Sequence, residues 1–147
     1  SSNPPVILVV EDDPADQAIT RRALEGSSIE SRHYVTSDGA EAIDYLSQTG
    51  AYSDTSSAPK PDLALIDLNM PGIDGRELLR TLRSDPRFKT LPVIVLTTSS
   101  NPRDVAEIYE LGANSYIVKP RVFDELLETL DIVQRYWFQL VELPPSS

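Results

Sequence analysis

The sequence predicts an α/β domain, built as a doubly wound parallel sheet of five strands with five helices on its two faces. Three observations predict this fold. Short runs rich in Val, Leu and Ile alternate with helix-forming stretches five times along the 147 residues. Three of the runs are almost wholly apolar, which is typical of parallel strands covered on both faces. Charged or hydroxyl-bearing residues follow most of the runs, where an open α/β sheet places its ligand site.

The strand candidates are four to six residues long, which fits buried strands better than helices. They are Val6 to Val10, Ser31 to Thr36, Leu63 to Asp67, Val93 to Thr97 and Ser115 to Val118. The first, third and fourth are the most apolar, so we expect them in the centre of the sheet. The second, SRHYVT, is more polar, so we expect it at an edge.

The helix candidates fill the intervals between the strands and follow the last one. They are Pro14 to Gly26, Asp38 to Ser47, Gly75 to Ser84, Asn101 to Leu111 and Arg121 to about Glu142. Asp13 and Pro14 are residues that favour the N-cap and the first position of a helix. Gly112 is a usual stop signal after the fourth helix.

The chain is expected to form one domain over residues 6–143, between a disordered N-terminal tail at 1–5 and a short tail at 144–147.

One segment departs from the alternation of strands and helices. Residues 48–61, QTGAYSDTSSAPKP, are rich in Ser, Gly and Pro. A loop of this length in a compact domain is usually functional or mobile. We expect a mobile insertion, with a binding loop as the alternative.

Composition excludes several classes of function. The formal net charge of -10 argues against direct binding to nucleic acid or to an anionic membrane. The chain has no Cys, which excludes disulfides and thiol chemistry and fits a cytoplasmic protein. His33 is the single histidine, which excludes multi-histidine metal sites and argues against a Ser-His-Asp triad. No apolar run is long enough to span a membrane.

Acidic residues gather at the ends of two apolar runs. Glu11, Asp12 and Asp13 follow the first run, and Asp67 ends the third. At the rim of a parallel sheet these carboxylates would repel one another unless a cation lies among them. A small number of oxygen ligands favours Mg²⁺ over Ca²⁺. Two acids can hold the metal while one remains as a nucleophile, although capping of the first helix fully explains Asp13.

Asp67 is the preferred nucleophile because it stands alone among apolar residues and precedes the turn-rich segment NMPGIDG. That segment can supply a backbone carbonyl ligand at Asn69. Lys119, which follows the fifth run, can pair with one phosphoryl oxygen, and the Thr97 hydroxyl can hydrogen-bond another. The pattern therefore predicts a Mg²⁺-assisted phosphoryl site.

Four segments, VILVVEDDP, LIDLNMPGIDG, VIVLTTSS and YIVKP, resemble the sequence marks of response-regulator receiver domains, in their order and at compatible spacing. The resemblance covers about residues 6–129. It implies the flavodoxin-like receiver fold with strand order 2-1-3-4-5. It also implies a phosphoacceptor that receives a phosphoryl group on Asp67 from a histidine kinase, and that is not an enzyme beyond its own phosphorylation and dephosphorylation.

The resemblance implies a metal site built from four residues. Glu11 and Asp12 form the acidic pair, with Asp12 as a direct ligand of Mg²⁺. Asp67 is both the phosphoacceptor and a ligand, and the Asn69 carbonyl is another ligand.

The resemblance also implies the residues that respond to phosphorylation. Thr97 is the switch hydroxyl and Tyr116 the switch aromatic. Lys119 is the cation that pairs with the phosphoryl group, and its bond to Pro120 is implied to be cis.

A narrower similarity comes from the insertion, from DGRELLRTLRSDPRFKTLPVIVLTTS and from the C-terminal IVQRYWFQLVELPP. These segments resemble the small regulators paired with cyanobacterial phytochromes. The similarity implies a light-sensing histidine kinase as the phosphodonor.

Two other functions remain open. The segment Asp67 to Asn69 also resembles the nucleophile motif of haloacid-dehalogenase-type phosphatases, but those enzymes need a second carboxylate where Asn69 stands. The other alternative is an adaptor that binds its partner constitutively and merely keeps the pocket.

The last helix candidate is too long for the sheet. As a continuous helix, residues 121–142 would be about 33 Å long, whereas strands of this length give a sheet about 17–20 Å tall. Its overhanging end would carry apolar side chains on two sides, so we expect homodimerisation through the fourth helix, fifth strand and fifth helix. The expected contact residues are Ile132, Tyr136, Trp137, Phe138 and Leu143. The alternative is that this segment folds back over its own domain.

Overall fold

The computed structural model describes residues 3–145 and has one five-stranded sheet in the order β2-β1-β3-β4-β5. The strands are β1 (Val6–Val10), β2 (Arg32–Thr36), β3 (Leu63–Ile66), β4 (Val93–Thr97) and β5 (Ser115–Val118). Every pairing is parallel. The predicted fold class and strand order are confirmed.

The burial of each strand follows its sequence. β1, β3 and β4 are buried along their whole length and occupy the centre of the sheet, as their apolar sequences predicted. β2 has a single fully buried residue, Thr36, and lies at one edge. β5 forms the other edge and has no fully buried residue. The carboxyl ends of the three central strands therefore lie side by side.

Between residues 3 and 145, five α-helices connect and follow the strands. They are α1 (Pro14–Glu25), α2 (Gly39–Ser47), α3 (Gly75–Ser84), α4 (Pro102–Glu110) and α5 (Phe123–Arg135). The first four begin at a side chain that accepts a hydrogen bond from a backbone N–H of the first turn, and these N-caps are Asp13, Asp38, Asp74 and Asn101. The predicted cap at Asp13 is confirmed.

The helices cover the sheet in two layers. α2, α3 and α4 pack on one face, with Leu79 and Ile108 in the core beneath them. α1 and α5 pack on the other face, where Leu24 and Leu130 are almost fully buried. Burying each of these side chains contributes about 1.5–3 kcal/mol. The two cores hold the strand ends in fixed relative positions.

The insertion is packed against α2. Two short 3-10 helices form within it, Gly50–Tyr52 and Thr55–Ser57. The Tyr52 hydroxyl donates to the Glu41 carboxylate at 2.5 Å. The Tyr45 hydroxyl donates to the Pro59 carbonyl at 2.7 Å. These bonds tether both halves of residues 48–61, which differs from the mobile insertion expected from composition.

The C-terminal end of the last helix differs from the prediction. The α-helical hydrogen-bonding pattern ends with α5, and Tyr136–Leu140 continues as a π-helix instead of an α-helix to Glu142. A π turn holds more residues than an α turn, so it changes which side chains face the domain. Trp137 and Phe138 both pack against the core under α1 and α5. The aromatic segment therefore folds partly over its own domain.

The peptide bond between Lys119 and Pro120 is trans, which corrects the cis bond that the family resemblance implied. An X–Pro bond prefers trans by about 0.5–1 kcal/mol unless its surroundings select cis. The Lys119 N–H donates to the Thr97 carbonyl at 2.6 Å, so the end of β5 stays attached to β4.

Part of the predicted disordered tail is attached to the sheet. The Pro5 carbonyl accepts a hydrogen bond from the Arg32 N–H at 2.8 Å. At the other end, residues 144–145 line a cleft at the amino-terminal edge of β3 and β4. Residues 1–2 and 146–147 of the predicted tails lie outside the described residues. No helix within residues 3–145 is long and apolar enough to cross a membrane.

Candidate functional site

The carboxyl ends of four strands bring the predicted site residues together. Glu11 and Asp12 follow β1, Asp67 follows β3, Thr97 ends β4 and Lys119 follows β5. Each strand carries its polar residue at the point where the apolar sequence stops. The local reason is that the strand body must be buried, whereas a charged group can be solvated only at the rim.

Three of these residues form a carboxylate cluster. Glu11, Asp12 and Asp67 each present an oxygen within 4.8 Å of the other two. Glu11 is buried, and Asp12 and Asp67 are half-buried. Carboxylates this close repel one another unless a proton or a cation neutralises them. Oxygen ligands of this kind suit a hard divalent cation, so the residues present fit the predicted metal.

Glu11 is the most buried acid of the cluster. One of its oxygens accepts from the Asp13 N–H at 3.1 Å, and the other lies 3.1 Å from the Lys119 Nζ. Burial raises the pKa of the Glu11 carboxyl, while the Asp13 N–H and the positive charge of Lys119 oppose that rise. The nearby Asp67 raises the Glu11 pKa further.

The same opposing effects act on the Asp67 carboxyl. Burial raises the pKa of its carboxyl above the ordinary value, and this effect is the largest. Lys119 and the backbone N–H groups of Leu68 and Asn69 favour the charged form and lower the pKa in part. A carboxylate whose charge is incompletely compensated is ready to bind a cation and to act as a nucleophile.

Lys119 holds the cluster from the β5 side. Its Nζ lies 3.1 Å from a Glu11 oxygen and 4.0 Å from an Asp16 oxygen. Its side chain is only 12% exposed, so the ion pair with Glu11 is shielded from water. The sequence-based hypothesis assigned Lys119 to a phosphoryl oxygen, and in this structure its ion-pair partner at close range is Glu11.

Thr97 carries an unusual hydroxyl. The residue is buried, and among the described residues its Oγ1 has no hydrogen-bond partner of ordinary geometry. It lies near enough to Asp67 to favour the charged carboxylate and lower its pKa. A buried hydroxyl without a partner costs about 1–3 kcal/mol. Such a group at a predicted phosphoryl site is placed to donate to an incoming oxygen.

Tyr116 is half-buried against the core under α3 and α4. Its hydroxyl donates to the Ser99 carbonyl, in the loop between β4 and α4, at 2.8 Å. Its backbone N–H donates to the Tyr109 hydroxyl at 3.2 Å. The ring therefore already lies inward in this structure, next to the loop that follows Thr97.

Two predicted roles receive different support. Asn69 lies exposed in the loop after β3, and metal ligation by its carbonyl stays a prediction. Asp13 is exposed, and its carboxylate accepts from the Ala15 N–H at 3.3 Å, so it acts as the α1 cap. This agrees with the sequence-based interpretation of Asp13 as a cap.

Sequence reasoning missed Gln17, which supports the site from α1. Its amide donates to the Glu11 carbonyl at 2.6 Å and lies 3.2 Å from the Ser37 hydroxyl. Gln17 thereby joins the ends of β1 and β2 next to the carboxylate cluster. A single glutamine on a helix has no sequence pattern that would mark it as part of a site.

The residues predicted at a dimer contact do not all share one environment. Ile132 is 50% exposed and Tyr136 is 46% exposed. Trp137 and Phe138 pack against the chain's own core. Leu143 is half-buried and lines the cleft at the amino-terminal edge of β3 and β4. Other exposed apolar residues of α4, β5 and their flanks are Tyr109, Val118 and Val122.

Comparison with known proteins identifies the family of the chain. The family model described as the response regulator receiver domain matches residues 7–131. The chain is 41% identical over 146 residues to the response regulator Rcp1 of Synechocystis sp., covering 99% of this chain and 97% of the relative.

Solved structures give the same result. The Mn²⁺-bound form of response regulator Rcp1 is 39% identical, with a TM-score of 0.85 over 97% of this chain and 100% of that one. The phosphorylated cyanobacterial phytochrome response regulator RcpA is 38% identical, with a TM-score of 0.88 over 98% of this chain and 100% of that one. A response regulator in red light signalling of R. palustris is 35% identical, with a TM-score of 0.91 over 96% of this chain and 99% of that one.

Proposed function

We propose that this chain, which belongs to the response regulator receiver domain family, accepts a phosphoryl group on Asp67 from a histidine kinase. The chain is related to regulators of phytochrome signalling in two-component systems. Receiver domains are not classical enzymes, so the proposed function is a reversible change of state. Phosphotransfer from a kinase would take place in the cytoplasm.

One observation carries the proposal. Three carboxylates lie within 4.8 Å of one another, with a shielded Lys119 and the unpartnered Thr97 hydroxyl beside them. The carboxylates and the hydroxyl each have an unmet requirement. The acids lack a full countercharge, and the hydroxyl lacks an acceptor at ordinary hydrogen-bond geometry. A divalent cation and a phosphoryl group would meet both requirements together.

The chemistry would proceed by attack of an Asp67 carboxylate oxygen on the phosphorus of a phosphohistidine. The new O–P bond forms as the N–P bond breaks, and the imidazole nitrogen leaves with the bonding electron pair. The Lys119 ammonium and the Thr97 hydroxyl would donate to the oxygens of the transferred group. Asp12, Asp67 and the Asn69 carbonyl would hold Mg²⁺, with Glu11 beside them, and the bound ion would supply positive charge that offsets the developing negative charge.

Lys119 would exchange one partner for another during this step. In the structure it pairs with Glu11 across a part-buried contact. An arriving phosphoryl group offers more negative charge than one carboxylate, so the ammonium is expected to shift toward it. Metal binding would replace the charge compensation that Glu11 loses.

The phosphodonor proposed is a phytochrome histidine kinase. The support is similarity over nearly the whole chain to Rcp1 and to the phytochrome response regulator RcpA. A phosphotransfer profile against a panel of purified histidine kinases tests this assignment. Preferential transfer from a kinase other than a phytochrome would contradict it.

The nucleophile is tested with Asp67→Asn. Wild type is expected to incorporate acid-labile phosphate from acetyl phosphate in the presence of Mg²⁺, and the variant to incorporate none. Asp13→Asn is the matched control, because it removes a neighbouring acid that caps α1 outside the cluster. Full labelling of Asp67→Asn, or loss of labelling only in Asp13→Asn, would refute the assignment.

The output proposed is a change in the α4–β5–α5 face, including dimerisation of the chain. Its support is the exposed apolar surface formed by Ile132, Tyr136 and neighbouring residues. Beryllofluoride with Mg²⁺, a mimic of the phosphoryl group, distinguishes this output from a constitutive adaptor. An adaptor would bind its partner equally with and without the mimic.

A further inference from the structure

A set of polar contacts joins the start of α3 to α4. The Arg76 Nη2 lies 2.7 Å from an Asp104 oxygen, and the Arg76 Nε donates to the Glu107 carboxylate. The Arg76 side chain is 22% exposed, so the guanidinium lies mostly under neighbouring groups. One residue of α3 thus holds two acids of α4, one turn apart.

The contacts continue from Asp104 to the aromatic residue of β5. The other Asp104 oxygen accepts from the Ser99 hydroxyl at 2.5 Å. The Ser99 carbonyl accepts from the Tyr116 hydroxyl at 2.8 Å. Asp104 therefore fixes the residue whose carbonyl holds Tyr116 inward.

At its other end, this series of contacts reaches Asp67, the proposed phosphoacceptor. The Gly75 N–H donates to the Leu68 carbonyl at 3.1 Å. A Cβ at Gly75 would lie only 2.6 Å from the Asp67 carbonyl oxygen, so α3 begins in direct contact with the end of β3. A displacement of the Asp67 backbone would be passed to the next residue of α3, which is Arg76.

We propose that Arg76 is a positioning residue that couples Asp67 to Tyr116 by holding Asp104 and the loop between β4 and α4. The proposal rests on the proposed phosphoacceptor role of Asp67. In the structure Thr97 lies near Asp67 while Tyr116 lies inward. The Arg76 contacts favour this arrangement, and therefore favour the form that binds a phosphoryl group.

The physical basis is the geometry of the guanidinium. An exposed ion pair contributes little, but a part-buried arginine that donates to two carboxylates is both stronger and more directional. Lysine has a single ammonium group and cannot form both contacts in the same geometry. Arg80, one turn further along α3, is exposed and gives a matched control on the same helix.

The first experiment needs neither metal nor phosphate. Wild type, Arg76→Met and Arg80→Met are prepared with isotope-labelled tyrosine and compared by NMR. The variant Tyr116→Phe is used to assign the Tyr116 ring signal. The Tyr116 ring signal is expected to shift in Arg76→Met and to match wild type in Arg80→Met. An unchanged Tyr116 signal in Arg76→Met would overturn the proposal.

The second experiment measures coupling to the phosphoryl site. Beryllofluoride affinity in Mg²⁺ is expected to fall about 2- to 30-fold in Arg76→Met and to stay at the wild-type value in Arg80→Met. Mg²⁺ affinity alone should be unchanged. Equal beryllofluoride affinity in all three proteins would also overturn the coupling.

The two proposals fail in different ways. If wild type does not bind beryllofluoride, the proposed phosphoacceptor function fails, and the Tyr116 signal still decides whether Arg76 positions Tyr116. A double-mutant cycle with Asp104→Asn gives a further check. The Tyr116 shifts of the two single variants should not add in the double variant, and full additivity would contradict a shared path.

Discussion

The Asp67 carboxyl is held between opposing electrostatic effects. Burial favours its protonated form, while Lys119 and two backbone N–H groups favour its charged form, and the net result is a raised pKa. The pKa of the Glu11 carboxyl is also raised, chiefly by burial. These residues reduce local stability in the absence of a cation, a cost that proteins accept at sites of binding and chemistry.

The raised pKa values predict how stability depends on pH and metal. Because both acids bind protons more tightly in the folded chain, stability without metal should fall as pH rises through their raised pKa values. Mg²⁺ would bind the charged forms, so its stabilising effect should be largest above that range and disappear as pH is lowered. At a concentration of 100 times the dissociation constant it contributes about 2.7 kcal/mol.

Thermal unfolding with and without Mg²⁺ across this pH range measures the effect. Asp12→Asn should abolish most of the Mg²⁺-dependent increase in Tm, whereas Asp13→Asn should keep it. A metal response that grows as pH falls would contradict the predicted sign.

Thr97 makes a second prediction at the residue scale. Thr97→Val removes a buried hydroxyl that has no partner of ordinary geometry. The free energy of unfolding should increase, but by less than about 1 kcal/mol, because the favourable effect of the hydroxyl on the charged Asp67 carboxylate is lost as well. The same variant should bind beryllofluoride more weakly, since it removes the proposed donor to the phosphoryl oxygen.

Thr36→Val is the control for Thr97→Val. Thr36 is equally buried, but its hydroxyl donates to the Val9 carbonyl at 3.4 Å, so its loss should destabilise the chain by about 0.5–1.5 kcal/mol. Urea unfolding of both variants gives the comparison. Destabilisation by both substitutions would mean that the Thr97 hydroxyl has a partner in solution.

At the scale of elements, α5 is fixed to the loop between α1 and β2 by side chains at two positions. The Asp131 carboxylate accepts from the Ser27 hydroxyl at 2.6 Å and from the Ser28 N–H at 2.9 Å. The buried Gln134 accepts from the Ser31 hydroxyl at 2.7 Å. These contacts hold α5 in register before the chain enters the π-helix.

The Asp131 contacts give a stability prediction. Chiefly the hydrogen bond from Ser27, with help from Ser28 and Arg135, lowers the Asp131 pKa to about 2. Its contribution is therefore present at neutral pH and is lost as pH falls toward that value. Asp131→Ala should destabilise the chain by about 1.5–3 kcal/mol near neutral pH.

Urea unfolding at neutral and acidic pH tests this contribution. The difference between Asp131→Ala and wild type should shrink as pH is lowered to about 3. Glu128→Ala, an exposed position in the same helix, should stay within about 0.5 kcal/mol of wild type. A difference that is constant with pH would show that Asp131 acts through packing alone.

At the scale of the whole molecule, exposed apolar side chains recur every four residues from α5 into the π-helix that follows it. Ile132 and Tyr136 are about half exposed, and Leu140 is 73% exposed. Their neighbours Trp137 and Phe138 pack inward. Substitutions at Trp137 and Phe138 should unfold the chain locally. Substitutions at Ile132 and Tyr136 should change only the association of the chain with another copy.

The dimer prediction follows from that difference. Wild type is expected to be dimeric in the micromolar range, and Ile132→Ala with Tyr136→Ala to be monomeric with an unchanged far-UV circular dichroism spectrum. Ile19→Ala, at a 41% exposed position on α1, is the control and should leave the dimer intact. Size-exclusion chromatography with light scattering is the measurement, and a monomeric wild type would contradict the prediction.

Much of the fold could be predicted from local sequence. The apolar runs identified all five strands to within one residue at either end, and Asp13 identified a helix start. The cluster of Glu11, Asp12 and Asp67 was also predictable, since parallel strands bring their carboxyl ends to one edge. Each of these inferences needs only the order of residues along the chain and the burial of apolar strands.

The rest depended on contacts between residues far apart in sequence. The α-helix that ends at Arg135, the tethered insertion and the trans bond before Pro120 all depart from sequence-based expectations. The path through Arg76 was not predicted at all. An ion pair between Lys119 and the acidic cluster could be expected, but the sequence did not identify Glu11 as the partner.

The sequence by itself determined where the strands lie and which acids meet at their ends, because apolar runs, and their alternation with helices that makes the sheet parallel, can be recognised from neighbouring residues. Only the tertiary structure decided how charges are compensated and which side chains link the elements. Those outcomes depend on distances of a few ångströms between residues such as Arg76 and Asp104, 28 positions apart in the chain. No local pattern encodes such a distance, since it results from the packing of the whole domain.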